Sequence, residues 1–117
     1  LSAITTHVLD TARGRPAAGV AVRLMRVADG GGEIGTATTV ATSATGEDGR
    51  AGDLGPATVE PGTYRLIFDT GAYYRSQPDR EPFFPEVTVS FTVLDPAAHY
   101  HVPLLLSPYG YTTYRGS

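Results

Sequence analysis

Val87-Thr88-Val89-Ser90-Phe91-Thr92-Val93 alternates apolar and hydroxyl-bearing side chains at every step. Successive side chains on a strand point to opposite faces, so this period of two describes a strand with one buried face and one wet one. Tyr64, Leu66 and Phe68 repeat the pattern, as do Val20, Val22 and Leu24, and Thr36 to Ser43 is rich in β-branched residues. Breakers separate the runs at Gly14 to Gly19, Asp29 to Gly35, Thr45 to Gly49, Glu60-Pro61-Gly62 and Pro78 to Pro85. Seven or eight short strands at this spacing predict an all-β sandwich. One short helix is expected at Ala72 to Gln77, stopped by Pro78. No internal repeat, linker or low-complexity tract interrupts the pattern, so residues 1–117 are expected to form one domain.

Composition narrows the functional classes. A chain of 117 residues with 41% hydrophobic and 18% charged residues can bury a core without metals or disulfides. The net charge of −3 gives no electrostatic case for nucleic acid or an anionic membrane. The longest unbroken aliphatic run is Leu104 to Leu106, far too short for a membrane-spanning helix. Cysteine is absent, which excludes disulfides and thiol catalysis and leaves the compartment open. Leu1 is not a natural initiator, so something upstream is expected to have been removed. The expected location is the cytoplasm, or the periplasm if that segment was a signal. Lysine is also absent, so no Schiff base can form and every fixed side-chain cation is an arginine.

The two ends of the chain hold the residues with chemistry to offer. Around Ile4 to Asp10, Thr5, His7 and Leu9 share one face, while Ile4, Thr6 and Val8 share the other. From His99 onward, Tyr100, Val102, Leu104 and Leu106 form the core-facing set, which turns His99, His101 and Pro103 outward. Pro103 removes a ladder donor and predicts an irregular or edge position. A last strand over Tyr109 to Tyr114 puts Gly110, Thr112 and Tyr114 on one face. An outer face carrying histidines, threonine and tyrosine makes sense as a surface shared between subunits.

Two imidazoles on one strand face are either ligands or acid–base groups. Zinc with His7 as a third donor is one reading, but no cysteine or carboxylate lies close to the His-x-His pair. Gly30-Gly31-Gly32-Glu33-Ile34-Gly35 fits a dinucleotide fingerprint literally, yet it opens a threonine-rich strand rather than a helix and reads as a loop. Asp48-Gly49-Arg50 reads as a tight turn.

Taken together, these motifs carry a resemblance. Thr6-His7-Val8-Leu9-Asp10 followed by Gly14-x-Pro16-Ala17 looks like the opening of the transthyretin-related proteins. Asp48-Gly49-Arg50 resembles their second motif, and His99 to Ser117 is similar to their closing signature, down to Tyr114-Arg115-Gly116-Ser117. Two branches share that fold: thyroid-hormone carriers, and 5-hydroxyisourate hydrolases of purine catabolism. The carriers lack the histidines and the Tyr-Arg-Gly-Ser ending, so this chain sides with the hydrolases. The long glycine-rich segment from Ala28 to Gly35 departs from the pattern, within a connection.

The resemblance implies a transthyretin-like two-sheet β-sandwich of about eight strands, with a short helix after the fifth. It implies a homotetramer with two open-ended sites in a channel at the dimer–dimer interface. The implied reaction opens the six-membered ring of 5-hydroxyisourate, the small-molecule substrate, by hydrolysing an amide-type C–N bond without metal or organic cofactor. The product would pass to a decarboxylase that makes allantoin. By motif match, the catalytic positions fall on His7, Arg50 and His101, and the substrate-binding positions on His7, Arg50, His99, Tyr114, Arg115, Gly116 and Ser117. The residue types suit the chemistry. Either His7 or His101 can serve as general base, Arg50 can hold planar oxygens or a developing oxyanion, Tyr114 can stack on a flat heterocycle, and Ser117 can donate a hydroxyl. A metal-dependent hydrolase and a small-molecule carrier on the same fold are the alternatives.

Overall fold

The structure, a computed structural model, describes residues 2–27, 37–78 and 81–117. The glycine-rich fingerprint and Thr36 fall outside the described residues. Chain order gives β1 (Ile4–Asp10), β2 (Arg15–Pro16), β3 (Ala21–Arg26), β4 (Thr38–Ala44), β5 (Arg50–Ala51), β6 (Gly62–Phe68), α1 (Thr70–Arg75), β7 (Val87–Val93), β8 (Tyr100–Ser107) and β9 (Gly110–Thr113). That makes nine strands among the described residues, two of them, β2 and β5, only two residues long, and α1 follows β6.

Two sheets face each other. One runs β2-β1-β8-β9, with β5 also on β1, and the other runs β4-β3-β6-β7. Alternation sets their inner faces: Ile4, Val8, Leu104 and Leu106 on one side meet Leu24, Leu66, Phe68 and Val87 on the other, all with no exposure. Each such side chain stabilises the fold by about 1.5–3 kcal/mol relative to leaving it in water. The outer face of β1, holding Thr5, His7 and Leu9, stays half-buried.

β1 pairs with β8 in parallel, which brings the first and last long strands side by side and sets Thr5 against His101 and His7 against Pro103. The other edge of β1 is shared end to end, by β5 along Thr6 and His7 and by β2 along Leu9 and Asp10.

Three expectations shift. Asp69 caps the helix by accepting the Ala72 amide at 3.1 Å, so α1 starts two residues earlier than the proline stop alone implies. It also ends earlier, where the Ser76 hydroxyl caps the Tyr73 carbonyl at 2.6 Å. Pro103 is not at a sheet edge, because β8 lies between β1 and β9. Its missing N–H does interrupt the ladder: β9 ends at Thr113, one residue before the position opposite Pro103, and pairing returns as a single bridge between His101 and Gly116. The last strand is therefore shorter than Tyr109 to Tyr114.

A polar contact fixes the helix to the first sheet. The Tyr73 hydroxyl donates to the fully buried Asp10 carboxylate at 2.7 Å, and the Arg13 amide donates to its other oxygen at 3.1 Å. Burial and this bond to Asp10 push the Tyr73 phenol up, so it remains a donor.

Candidate active site

The outer face of the five-stranded sheet carries two neighbouring rungs of side chains. In one, Arg50 of β5 stands opposite His7 of β1, and His7 stands opposite Pro103 of β8. In the next, Thr5 stands opposite His101, and His101 is bridged to Gly116. Residues two apart on a strand share a face, so the rungs lie side by side. With the chain end they line a cleft of about 580 Å³, within the roughly 300–1,000 Å³ of small-molecule sites.

The turn Asp48-Gly49-Arg50 builds one wall. The Asp48 carboxylate accepts the Arg50 amide at 3.0 Å, and the Gly49 carbonyl accepts the Val8 amide at 2.8 Å. Gly49 has a φ of 79°, and a Cβ there would stand 2.4 Å from the Val8 carbonyl oxygen and 3.2 Å from Cδ2 of His7. Only glycine lets this turn lie so close against β1. The Asp48 carbonyl accepts a hydrogen bond from Nε2 of His7 at 2.8 Å. A carbonyl cannot donate, so His7 carries its hydrogen on Nε2 and keeps a lone pair on Nδ1. The turn thus sets one histidine's tautomer and presents Arg50, whose guanidinium has no hydrogen bond or ion pair to another described residue.

His101 forms the opposite wall. Its Nδ1 lies 2.8 Å from the Thr5 hydroxyl, which also lies 2.9 Å from Nε2 of His99. Burial holds the His101 imidazole below the usual 6.5, helped by the positive charges of Arg50, His7 and His99. The chain end packs against this ring. The Gly116 amide donates to the His101 carbonyl at 2.7 Å, and a Cβ on Gly116 would come within 2.7 Å of Cδ2 of His101. A glycine here makes room for the imidazole.

Every position named from sequence reaches the cleft: His7, Arg50, His99, His101, Tyr114, Arg115, Gly116 and Ser117 all line it. Tyr114 and Ser117 are exposed there. Arg115 has its head group engaged elsewhere, 4.4 Å over the Tyr100 ring and with Nη2 donating to the His99 carbonyl at 3.2 Å. It holds the chain end down. Sequence reasoning missed Thr5 as a partner of the His-x-His pair and the Asp48 carbonyl as a partner of His7. Face alternation placed Thr5 beside His7, but nothing local reveals a bond to a residue 96 positions away. Among the described residues no group of three or more His, Cys, Asp or Glu is placed to hold a metal ion.

Fold and cleft define a class: two-sheet β-sandwiches that set histidines and an arginine on the outer face of one sheet. The model of the HIUase/Transthyretin family matches residues 4–116, and the chain belongs to that family. It is 48% identical to the 5-hydroxyisourate hydrolase of Mus musculus over 99% of this chain and 96% of that protein. It is 46% identical to the 5-hydroxyisourate hydrolase of Deinococcus radiodurans, covering 97% of this chain and 95% of that one. Among solved structures, 5-hydroxyisourate hydrolase of Klebsiella pneumoniae superposes with a TM-score of 0.83 at 35% identity, each chain covered in full. Transthyretin from Sparus aurata superposes with a TM-score of 0.87 at 32% identity, over 99% of this chain and 97% of that one. The backbone is common to both kinds of protein, so the side chains of the cleft decide between them.

Proposed function

We propose that this chain is a 5-hydroxyisourate hydrolase acting in the conversion of urate to allantoin, with residues 1–117 as one catalytic domain. The observation that carries the reading is the meeting of His7, Arg50 and His101 in one cleft, where each histidine has one ring nitrogen fixed by the fold. A carrier of apolar ligands has no use for two oriented imidazoles and a guanidinium that no other described residue engages. Identities near 48% to hydrolases over nearly the whole chain support the same reading.

The step balances with the groups present. His101 takes a proton from water at Nε2 as the water oxygen bonds to the amide-type carbonyl carbon. The tetrahedral oxyanion forms within reach of Arg50, whose planar fork matches a charged oxygen and its neighbour. The C–N bond then breaks, the nitrogen takes the proton back from His101, and the ring opens to a carboxylic acid. A base so positioned is worth about 10²–10⁴ in rate. His7, with its Nδ1 lone pair, is assigned to receive an N–H of the substrate, and Tyr114 to stack on the heterocycle.

The assembly proposed is a homotetramer that closes this cleft between dimers. The test of function is direct. Added to freshly generated 5-hydroxyisourate, the protein should speed the decay of its ultraviolet absorbance. Decay at the uncatalysed rate would falsify the assignment.

A further inference from the structure

One hydroxyl touches both members of the His-x-His pair. Thr5 Oγ1 lies 2.9 Å from Nε2 of His99 and 2.8 Å from Nδ1 of His101. The arrangement follows from the parallel register of β1 and β8, which puts Thr5 level with His101, with His99 on the same face two residues back. A threonine hydroxyl has one hydrogen to give and two lone pairs to accept with. Whatever hydrogen His101 carries on Nδ1 therefore decides what Thr5 offers to His99.

We propose that Thr5 is a positioning residue that holds His101 in its base-competent tautomer, with His99 as the outer member of the relay. This rests on the reading of His101 as general base. A base with Nε2 open to the cleft must carry its hydrogen on Nδ1. The atom in place to receive that hydrogen is Thr5 Oγ1. Having accepted, the hydroxyl directs its own hydrogen to Nε2 of His99. His99 is exposed, so its remaining ring hydrogen sits on the nitrogen facing water, where a partner is always available. No bond to carbon is made or broken; the relay sets where two hydrogens rest. Without the hydroxyl, the half-buried Nδ1–H of His101 would lose its acceptor, and the ring would drift to the Nε2–H form, which cannot take a proton from water.

Thr5→Val removes the hydroxyl and keeps the β-branched shape, while Thr5→Ser keeps the hydroxyl. Nitrogen-15 NMR of the imidazoles, above the pH at which His101 titrates, reads the tautomer without any substrate. In the native protein His101 should be protonated on Nδ1 and bare on Nε2, and in Thr5→Val it should shift toward Nε2–H. On 5-hydroxyisourate, kcat of Thr5→Val should fall about 10–100-fold with KM little changed, a share of what a positioned base supplies, and Thr5→Ser should recover most of it. Native His101 found as the Nε2–H form overturns the proposal, even if Thr5→Val does not fold. So does a folded Thr5→Val that keeps both tautomer and kcat. Native protein that leaves 5-hydroxyisourate untouched refutes the functional reading instead, and the ring-nitrogen result still stands.

Discussion

An imidazole takes a proton from water only while it is neutral, so with His101 as the proposed base its environment sets the pH at which the cleft works. Burial first, and then the charges of Arg50, His7 and His99, hold its midpoint below 6.5. The sign follows: lowering that value keeps the ring neutral, and ready as a base, further into acid. The acid limb of kcat/KM should therefore have its midpoint below 6.5, rising with pH to a plateau. Arg50→Gln removes one of the causes, so the His101 ring resonance should titrate at higher pH in that variant. An unmoved titration would show that Arg50 does not act on His101 through its charge. Arg50→Lys separates charge from shape. It keeps a cation near His101, so the limb should stay in place, while losing the planar fork should lower kcat/KM on the order of 10²-fold. Near-native turnover in the lysine variant would show that a point charge suffices.

At the scale of elements, the cleft depends on short pieces of chain being clipped to β1. The turn Asp48-Gly49-Arg50 donates no element of its own beyond the two residues of β5, yet it orients both His7 and Arg50. Gly49→Ala would force a Cβ to within 2.4 Å of the Val8 carbonyl at a positive φ, so the turn must lift from β1. The expected loss is about 2 kcal/mol of stability or more, with turnover down at least about tenfold as His7 and Arg50 separate. A thermal melt and steady-state kinetics check both; native values in each would mean the turn tolerates the methyl group. The same elements mark how far the sequence could be read. The long strands were legible because alternation over six or seven residues leaves one choice of buried face, and Val87 to Val93 kept that face. The outward turn of His7 and His101 was legible for the same reason. β2 and β5 were not, since two residues carry no period and pair only because β1 offers an edge. The helix sits earlier than Pro78 implies because its own caps, Asp69 and Ser76, set its ends. The bonds of Thr5 to His99 and His101 depend on a parallel register between the chain's two ends, which no local pattern encodes.

At the scale of the whole molecule, one copy leaves its cleft open on a broad outer face. Arg50, Tyr114 and Ser117 are exposed, although their proposed partner is a small polar heterocycle. Water competes for every hydrogen bond in such a site and weakens each electrostatic contact, since attraction between charges falls as the effective dielectric rises. A second copy stacked on this face about a two-fold axis would enclose the substrate and repeat the same residues across the contact. Thr112 tests the idea because of where it sits. It is exposed on β9 opposite Leu105 of β8, on the outer face but not among the residues lining the cleft. Thr112→Glu sets a carboxylate there, and the two-fold axis would bring its symmetry mate to the same contact, so like charges would meet where two dimers join. The variant should keep the native fold by circular dichroism, sediment as a smaller species than the native protein, and lose kcat/KM at dilutions where the native protein stays assembled. Adding salt should restore part of both the assembly and the activity, because screening shortens the reach of the repulsion to about 3 Å at 1 M. A variant that sediments as a dimer yet turns over substrate at the native rate would mean that the cleft is complete within the dimer, and enclosure by a facing copy would not be part of how it works.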